Sequence, residues 1–190
     1  EFGPRALGAR SIIADPRSAQ MQKQLNLKVK FRESFRPFAP SIINEEVNEW
    51  FDQHVDSPYM LFVSNVKKNK LLKVKDDDLL IGFDKLKMPR SLVPAVTHID
   101  NSARIQTVDN ETNPKFYSII KNFFKKTGCP MIVNTSFNIR GEPIVCTPTD
   151  AFNCFMGTEL DLLVINNYLM YKNKQNKDNL HSYKNKFNLD

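Results

Sequence analysis

Residues 113–138 read NPKFYSIIKNFFKKTGCPMIVNTSFN, and this stretch decides what kind of fold the chain can have. Its first half places Phe116, Ile119, Ile120, Phe123 and Phe124 at helical spacing, an apolar stripe on an otherwise polar helix. Gly128 follows as a C-cap, because glycine enters the left-handed conformation that closes a helix without a Cβ penalty. The second half, CPMIVNTSFN, is an apolar strand that runs into a polar turn. A helix followed at once by a buried strand is the unit from which layered α/β and α+β domains are built.

The same alternation extends outward in both directions. In ADPRSAQMQKQLNLKV, Asp15 is a plausible N-cap and Pro16 a first helical residue, with Met21, Leu25 and Val29 at helical spacing. That pattern predicts a helix over 16–28. FAPSII reads as a buried strand, NEEVNEWF as a short helix capped by Asn44, and YMLFVSNV and ARIQTV as further strands. Residues 67–89 have mixed charge and no sustained period, which predicts an inserted loop or hairpin. TPTDAFNCFMG has Thr147 as N-cap and Pro148 just inside, with Ala151, Phe152 and Phe155 on one face. LDLLVINNYLMY reads as one closing strand. No internal repeat is present.

The chain has 190 residues, 41% hydrophobic and 25% charged, which suits a compact body over 1–171 with a tail over 172–190. No apolar run reaches the roughly 18 residues of a membrane span, so a membrane partner is not expected. The opening, EFGPRALGAR, lacks the pattern of a secretory leader and begins inside a motif, so the chain reads as a piece of a longer protein. The tail carries five lysines against two aspartates, half of the formal net charge of +6. Interleaved with asparagine, those lysines suggest a solvated end rather than a nucleic-acid tail. Cys129, Cys146 and Cys154 form no CxxC pair and sit beside apolar or small residues, which suggests reduced, buried thiols in a cytoplasm.

Three stretches set cations or small polar groups at strand ends beside glycine or proline. FGPRALGAR supplies Arg5 and Arg10, KFRESFRPFAP supplies Lys30, Arg32 and Arg36, and NTSFNIRGEP supplies Asn134, Thr135, Ser136, Asn138 and Arg140. Ligands of layered α/β domains sit where strands end. Arginine forks, a lysine point charge and hydroxyl donors are what a phosphate requires there. The expectation is one cleft in which aromatic residues form a dry wall and the cations face an anion. Plainer readings stand beside it: turn arginines on the surface, Lys30 and Arg32 on the solvent side of a strand, Ser136 and Asn138 as turn formers. A Walker-type loop is absent, and His98 has no acid–base triad near it in sequence.

Taken together, EFGPRALGARSIIADPR, KFRESFRPFAPSI, PAVTHIDNSARIQTV and NTSFNIRGEPIVCTPTDAF resemble the C-terminal portion of the O-carbamoyltransferase family. That family includes the nodulation-factor, cephamycin and tobramycin carbamoyltransferases, and the resemblance runs from Glu1 to about Tyr168. It implies a YrdC-like α/β (α+β) fold, a twisted mixed sheet with flanking helices. Lys30-x-Arg32 is similar to the nucleotide-site signature of that wider group, and TSFNIRGEP to its TSAN-x-SG-x-P turn. Ser136 and Asn138 fall on the signature serine and asparagine, while Arg140 replaces the second serine.

The resemblance implies that this part binds ATP and carbamoyl phosphate and forms carbamoyl-adenylate. A metal-binding N-terminal domain of the same polypeptide, holding Fe2+ or a similar metal, would then pass the carbamoyl group to a hydroxyl. On this basis Lys30, Arg32, Arg36, Thr135, Ser136 and Asn138 are expected around the nucleotide, with Arg5 in the same pocket or at a domain junction. Lys30, Arg104 and Arg140 are the expected catalytic cations, and Mg2+ would arrive with ATP rather than in a protein metal site. The alternatives are an RNA-binding module of the same fold and a non-catalytic domain that braces its neighbour.

Overall fold

A computed structural model describes residues 5–73, 82, 85–86, 88–179, 183 and 186–187. The chain divides into two compact units, Glu1–Gln22 with Phe35–Ser136, and Lys23–Ser34 with Phe137–Asp190. Strands and helices are mixed throughout, the α+β class expected. No helix among the described residues is long and apolar enough to cross a membrane.

The first unit contains β1 (Ser11–Ala14), β2 (Ala39–Ile43), β3 (Val63–Asn65), β4 (Ser102–Arg104), β5 (Gln106–Val108) and β6 (Met131–Ser136). Its helices include α2 (Val47–Trp50) and α3 (Pro114–Thr127), and α1 (Met21–Gln24) leads on into the second unit. Four strands form one sheet in the order β1-β6-β2-β5, with only β2 and β5 parallel. β6 has a partner on each edge; Met131 and Val133 on one face and Ile132 and Asn134 on the other are all buried, so the strand is covered on both sides.

Against this sheet lies α3. The Asn113 side chain accepts from Phe116 N, Pro114 occupies the first turn, and Gly128 closes the helix in the left-handed region at φ 72. Phe116 and Ile120 pack with Ile43, Val108 and Ile132, and Tyr117, Phe123 and Phe124 flank them. Ile119, expected in the stripe, is 49% exposed, so the buried face is narrower than the sequence suggests.

The start of the first long helix departs from expectation. Asp15 Oδ1 accepts the main-chain N–H of Arg17 at 2.9 Å, and its carboxylate also meets the Arg17 guanidinium at 2.6 Å. This local turn uses the oxygen that would have capped a helix at 16, so the helix begins at Met21 instead. NEEVNEWF gives a 3-10 turn over Asn44–Glu46 and then α2, with no side-chain cap from Asn44.

ARIQTV is two strands rather than one. The chain breaks at the fully buried Ile105, whose N–H donates to Phe62 O while its carbonyl accepts from the Ser57 hydroxyl. β4 therefore pairs with β3, and β5 pairs with β2. The ends of the expected insert are drawn together, since Leu72 N donates to Arg90 O and Leu92 N to Lys70 O. Residues 74–81, 83–84 and 87 of that insert lie outside the described residues.

The second unit contains α4 (Pro148–Gly157), β7 (Leu162–Ile165) and β8 (Tyr168–Tyr171). Thr147 caps α4 as expected, and Asp150 returns a bond to the Thr147 N–H, closing a capping box. Phe155 and Cys154 on this helix are fully buried. LDLLVINNYLMY is a hairpin rather than a single strand, turning at Asn166, which takes φ 51. Asparagine tolerates that conformation better than other non-glycine residues, so an apolar run can reverse there.

Candidate functional site

In the second unit, Leu25–Val29 forms a π-helical turn that Lys30 closes by donating its N–H to Leu25 O at 2.8 Å. Arg32 N donates to Asn26 O at 2.9 Å. Phe31, between them, stands at φ 49, a left-handed conformation that costs a bulky side chain on the order of 1–3 kcal/mol. The wide turn and the reversal together direct Lys30 inward, where it is only 3% exposed. The solvent side of a strand is therefore not where Lys30 lies.

The Lys30 ammonium donates to the main-chain oxygen of Asn138 at 2.9 Å and to its Oδ1 at 2.8 Å. Burial is the main force lowering its pKa to about 7; the Arg32 charge adds to this, and Cys154 and Glu142 oppose it. Asn138 in turn donates from Nδ2 to Glu142 O at 2.6 Å, and Ile139 N donates to Glu142 Oε2 at 2.9 Å. Arg140 N donates to Lys30 O at 3.1 Å, and its guanidinium reaches Glu33 Oε1 at 3.4 Å. Arg32 Nε donates to Asn26 Oδ1 at 2.6 Å. Four expected residues, Lys30, Arg32, Asn138 and Arg140, are thus assembled on two neighbouring segments of one unit.

The first unit holds the others. Arg104 ends β4 at the point where the chain changes sheets, and its half-buried guanidinium has a lowered pKa, first from burial and second from the Arg5 charge. Its Nε is buried and has no hydrogen-bond partner among the described residues. Two like charges beside an unsatisfied N–H is an arrangement that an anion would complete. Thr135 and Ser136 end β6, half-buried, in register with Ile12 and Ser11 of β1. Arg36 is exposed.

Asn134 is structural rather than presented to a ligand. It is 1% exposed, and its Nδ2 lies 2.8–2.9 Å from Ala6 O, Ser41 Oγ and Gln106 Oε1. Gln106 Nε2 donates to Leu7 O at 3.1 Å, so the pair fastens the segment beside Arg5 to the sheet. Asn134→Ala leaves those buried acceptors short of a donor and is expected to cost about 2 kcal/mol in urea denaturation. A loss under a few tenths of a kcal/mol would contradict this role.

Glu142 and Tyr183 are site residues that the sequence reading missed. Glu142 stands inside the RGEP motif, where its cationic neighbours carry the phosphate signal, and Tyr183 has no signal in a tail of lysine and asparagine. That tail is not wholly solvated, for Tyr183 is 2% exposed and donates to Glu142 Oε1 at 2.6 Å. Lys172 also turns inward, its ammonium donating to Thr158 O at 2.8 Å. Of the cysteines, Cys129 and Cys154 are buried as expected, but Cys146 is exposed beside the α4 cap. Among the described residues no group of three His, Cys, Asp or Glu is placed to hold a metal ion.

Comparison with known proteins adds independent findings. The family model described as carbamoyltransferase C-terminus matches residues 1–172. An uncharacterized protein of Synechocystis sp. is 56% identical over 92% of this chain and 29% of its own length. Nodulation protein NolNO of Sinorhizobium fredii is 44% identical over 90% of the chain and 23% of its own. The 3'-hydroxymethylcephem-O-carbamoyltransferase of Amycolatopsis lactamdurans is 33% identical over 79% of the chain and 25% of its own. The chain therefore spans less than a third of the length of these relatives.

Proposed function

The chain belongs to the carbamoyltransferase C-terminal family, and from that premise we propose that it binds ATP and carbamoyl phosphate and forms carbamoyl-adenylate. The mixed sheet is read as YrdC-like. A carbamate oxygen becomes bonded to the α-phosphorus of ATP as the bond to the β-phosphate oxygen breaks. The carbamate arises as water cleaves the link between the carbamoyl group and its phosphate, which releases phosphate; pyrophosphate leaves in the step with ATP. Transfer to a hydroxyl acceptor is assigned to a metal-binding domain outside this chain, as is any iron. Magnesium comes with the nucleotide phosphates.

The observation that carries this reading is the buried Lys30 ammonium, bonded to the neutral oxygens of Asn138 with Arg32 and Arg140 close by. A phosphate oxygen that replaces Asn138 Oδ1 on Lys30 exchanges a dipole for a full charge, and charge-assisted bonds are about twice as strong as neutral ones. Lys30, Arg32 and Asn138 of the second unit take the nucleotide phosphates. Arg140 of the second unit serves the carbamoyl phosphate and the carbamate formed from it, and the Arg5 and Arg104 charges of the first unit are proposed, by themselves, to receive an anion of that kind. What the protein supplies is orientation and neutralisation of two polyanions that otherwise repel.

Pyrophosphate release is the test. The chain is expected to release it only when ATP and carbamoyl phosphate are both present, and Arg104→Gln is expected to slow release about 30-fold while ATP affinity is kept. Release from ATP alone, or an unaffected Arg104→Gln variant, would argue against the assignment.

A further inference from the structure

Tyr183 lies past residue 172, where the family match ends, yet it reaches the centre of the candidate site. Its ring covers Gly157 at the end of α4 so closely that a Cβ there would stand 2.4 Å from the Tyr183 Cβ. Phe187 meets the same ring edge-on at 5.6 Å between centroids, and the Lys186 ammonium stands 4.6 Å above it. The hydroxyl, held by this packing, donates to Glu142 Oε1 at 2.6 Å. Glu142 then acts on the site at two points. Oε2 accepts the Ile139 N–H at 2.9 Å, and the main-chain oxygen accepts Asn138 Nδ2 at 2.6 Å. Asn138 presents its remaining oxygens to the Lys30 ammonium.

We propose that Tyr183 is a positioning residue: by holding Glu142 it fixes the 138–142 turn, and through Asn138 it fixes the Lys30 ammonium for the nucleotide phosphates. The nucleotide part of this role rests on the function proposed above; the positioning of the turn does not. Without the phenol the Glu142 carboxylate keeps the Ile139 N–H and the weak thiol donor of Cys154 but loses the stronger O–H donor on Oε1, so the turn it closes opens more often. Tyr183 thereby gives a segment outside the family match a part in the site.

Tyr183→Phe tests this, because it keeps the ring against Gly157 and removes only the hydroxyl. Hydrogen exchange of the Ile139 amide is expected to quicken about tenfold, since loss of one such bond is worth about that factor. Exchange in the β7–β8 hairpin should stay unchanged, and the melting temperature should fall only by the few degrees that one such bond is worth. The affinity for MgATP is expected to fall about fivefold. Glu142→Gln should act in the same direction, and the double variant should show less than the sum of the two effects, because both break one chain of bonds. An unchanged Ile139 rate overturns the proposal, and so does a faster rate with unchanged MgATP affinity. If the unaltered chain binds no ATP, the nucleotide reading falls, and the Ile139 rate alone decides whether Tyr183 positions the turn.

Discussion

Lys30→Met is expected to weaken MgATP binding at least about 100-fold, as measured by calorimetry, while the chain stays folded. Methionine fills the same space without a charge, so the loss reports the ammonium rather than a collapsed pocket. The pH dependence of stability makes the same residue visible without any ligand. In the folded chain the Lys30 pKa is lowered to about 7 from the ordinary 10.5, burial being the chief cause. Between those two values the unfolded chain keeps a proton that the folded chain has released, so stability rises with pH across that window. Below about 7 both states hold the proton, and the cost of burying the charge is fully present. Wild type should therefore gain on Lys30→Met as pH climbs from about 7 toward 10.5, by up to about 1.4 kcal/mol per unit. Parallel stability curves would mean that the ammonium is not buried as described.

Gly8→Ala should be the most damaging single substitution in the first unit, costing about 3 kcal/mol or more. Gly8 stands at φ +119, a conformation that L side chains rarely adopt. A Cβ added there would also lie 2.6 Å from two carbons of the Phe116 ring. Phe116 cannot yield, because it is 3% exposed and packed with Ile43, Val108, Ile120 and Ile132. Backbone strain and overpacking each cost on the order of 1–3 kcal/mol, and here they coincide. Urea titration of the variant measures the loss; a cost below about 1 kcal/mol would show that the α3 contact gives way easily. Gly82→Ala is a useful comparison, since it shares a positive φ but has no atom within 4 Å of the added carbon.

Much of the fold is written in local pattern. The Phe116–Phe124 stripe, Gly128, the run from Met131 and the Thr147–Asp150 cap all depend on interactions between residues a few positions apart. Departures occur where a contact distant in sequence, or a competing local turn, overrides such a pattern. Ile105 breaks a plausible strand because Phe62 and Ser57 claim its main-chain groups. Met21 starts its helix late because Asp15 is held by Arg17, which itself reaches Thr127 O. Asn166 reverses an apolar run that has neither glycine nor proline to mark the turn.

The candidate site follows the same division. Lys30, Arg32, Asn138 and Arg140 could be picked out as an unusual grouping of cations with turn residues, and they fall together. What could not be read is that Lys30 is buried, since this depends on a π-helical turn and on Phe31 at positive φ. Tyr183 was equally hidden, because its partner Glu142 lies 41 residues away and neither residue stands in a periodic pattern with the other.

Whether Lys30 meets the nucleotide is decided by titrating MgATP into the chain at pH 8, in two buffers of different ionisation enthalpy. At that pH the buried Lys30 amine is mostly neutral, and a bound phosphate draws a proton back onto it. Uptake approaching one proton per nucleotide is expected, absent in Lys30→Met. A binding heat independent of buffer, or no binding heat at all, would contradict it.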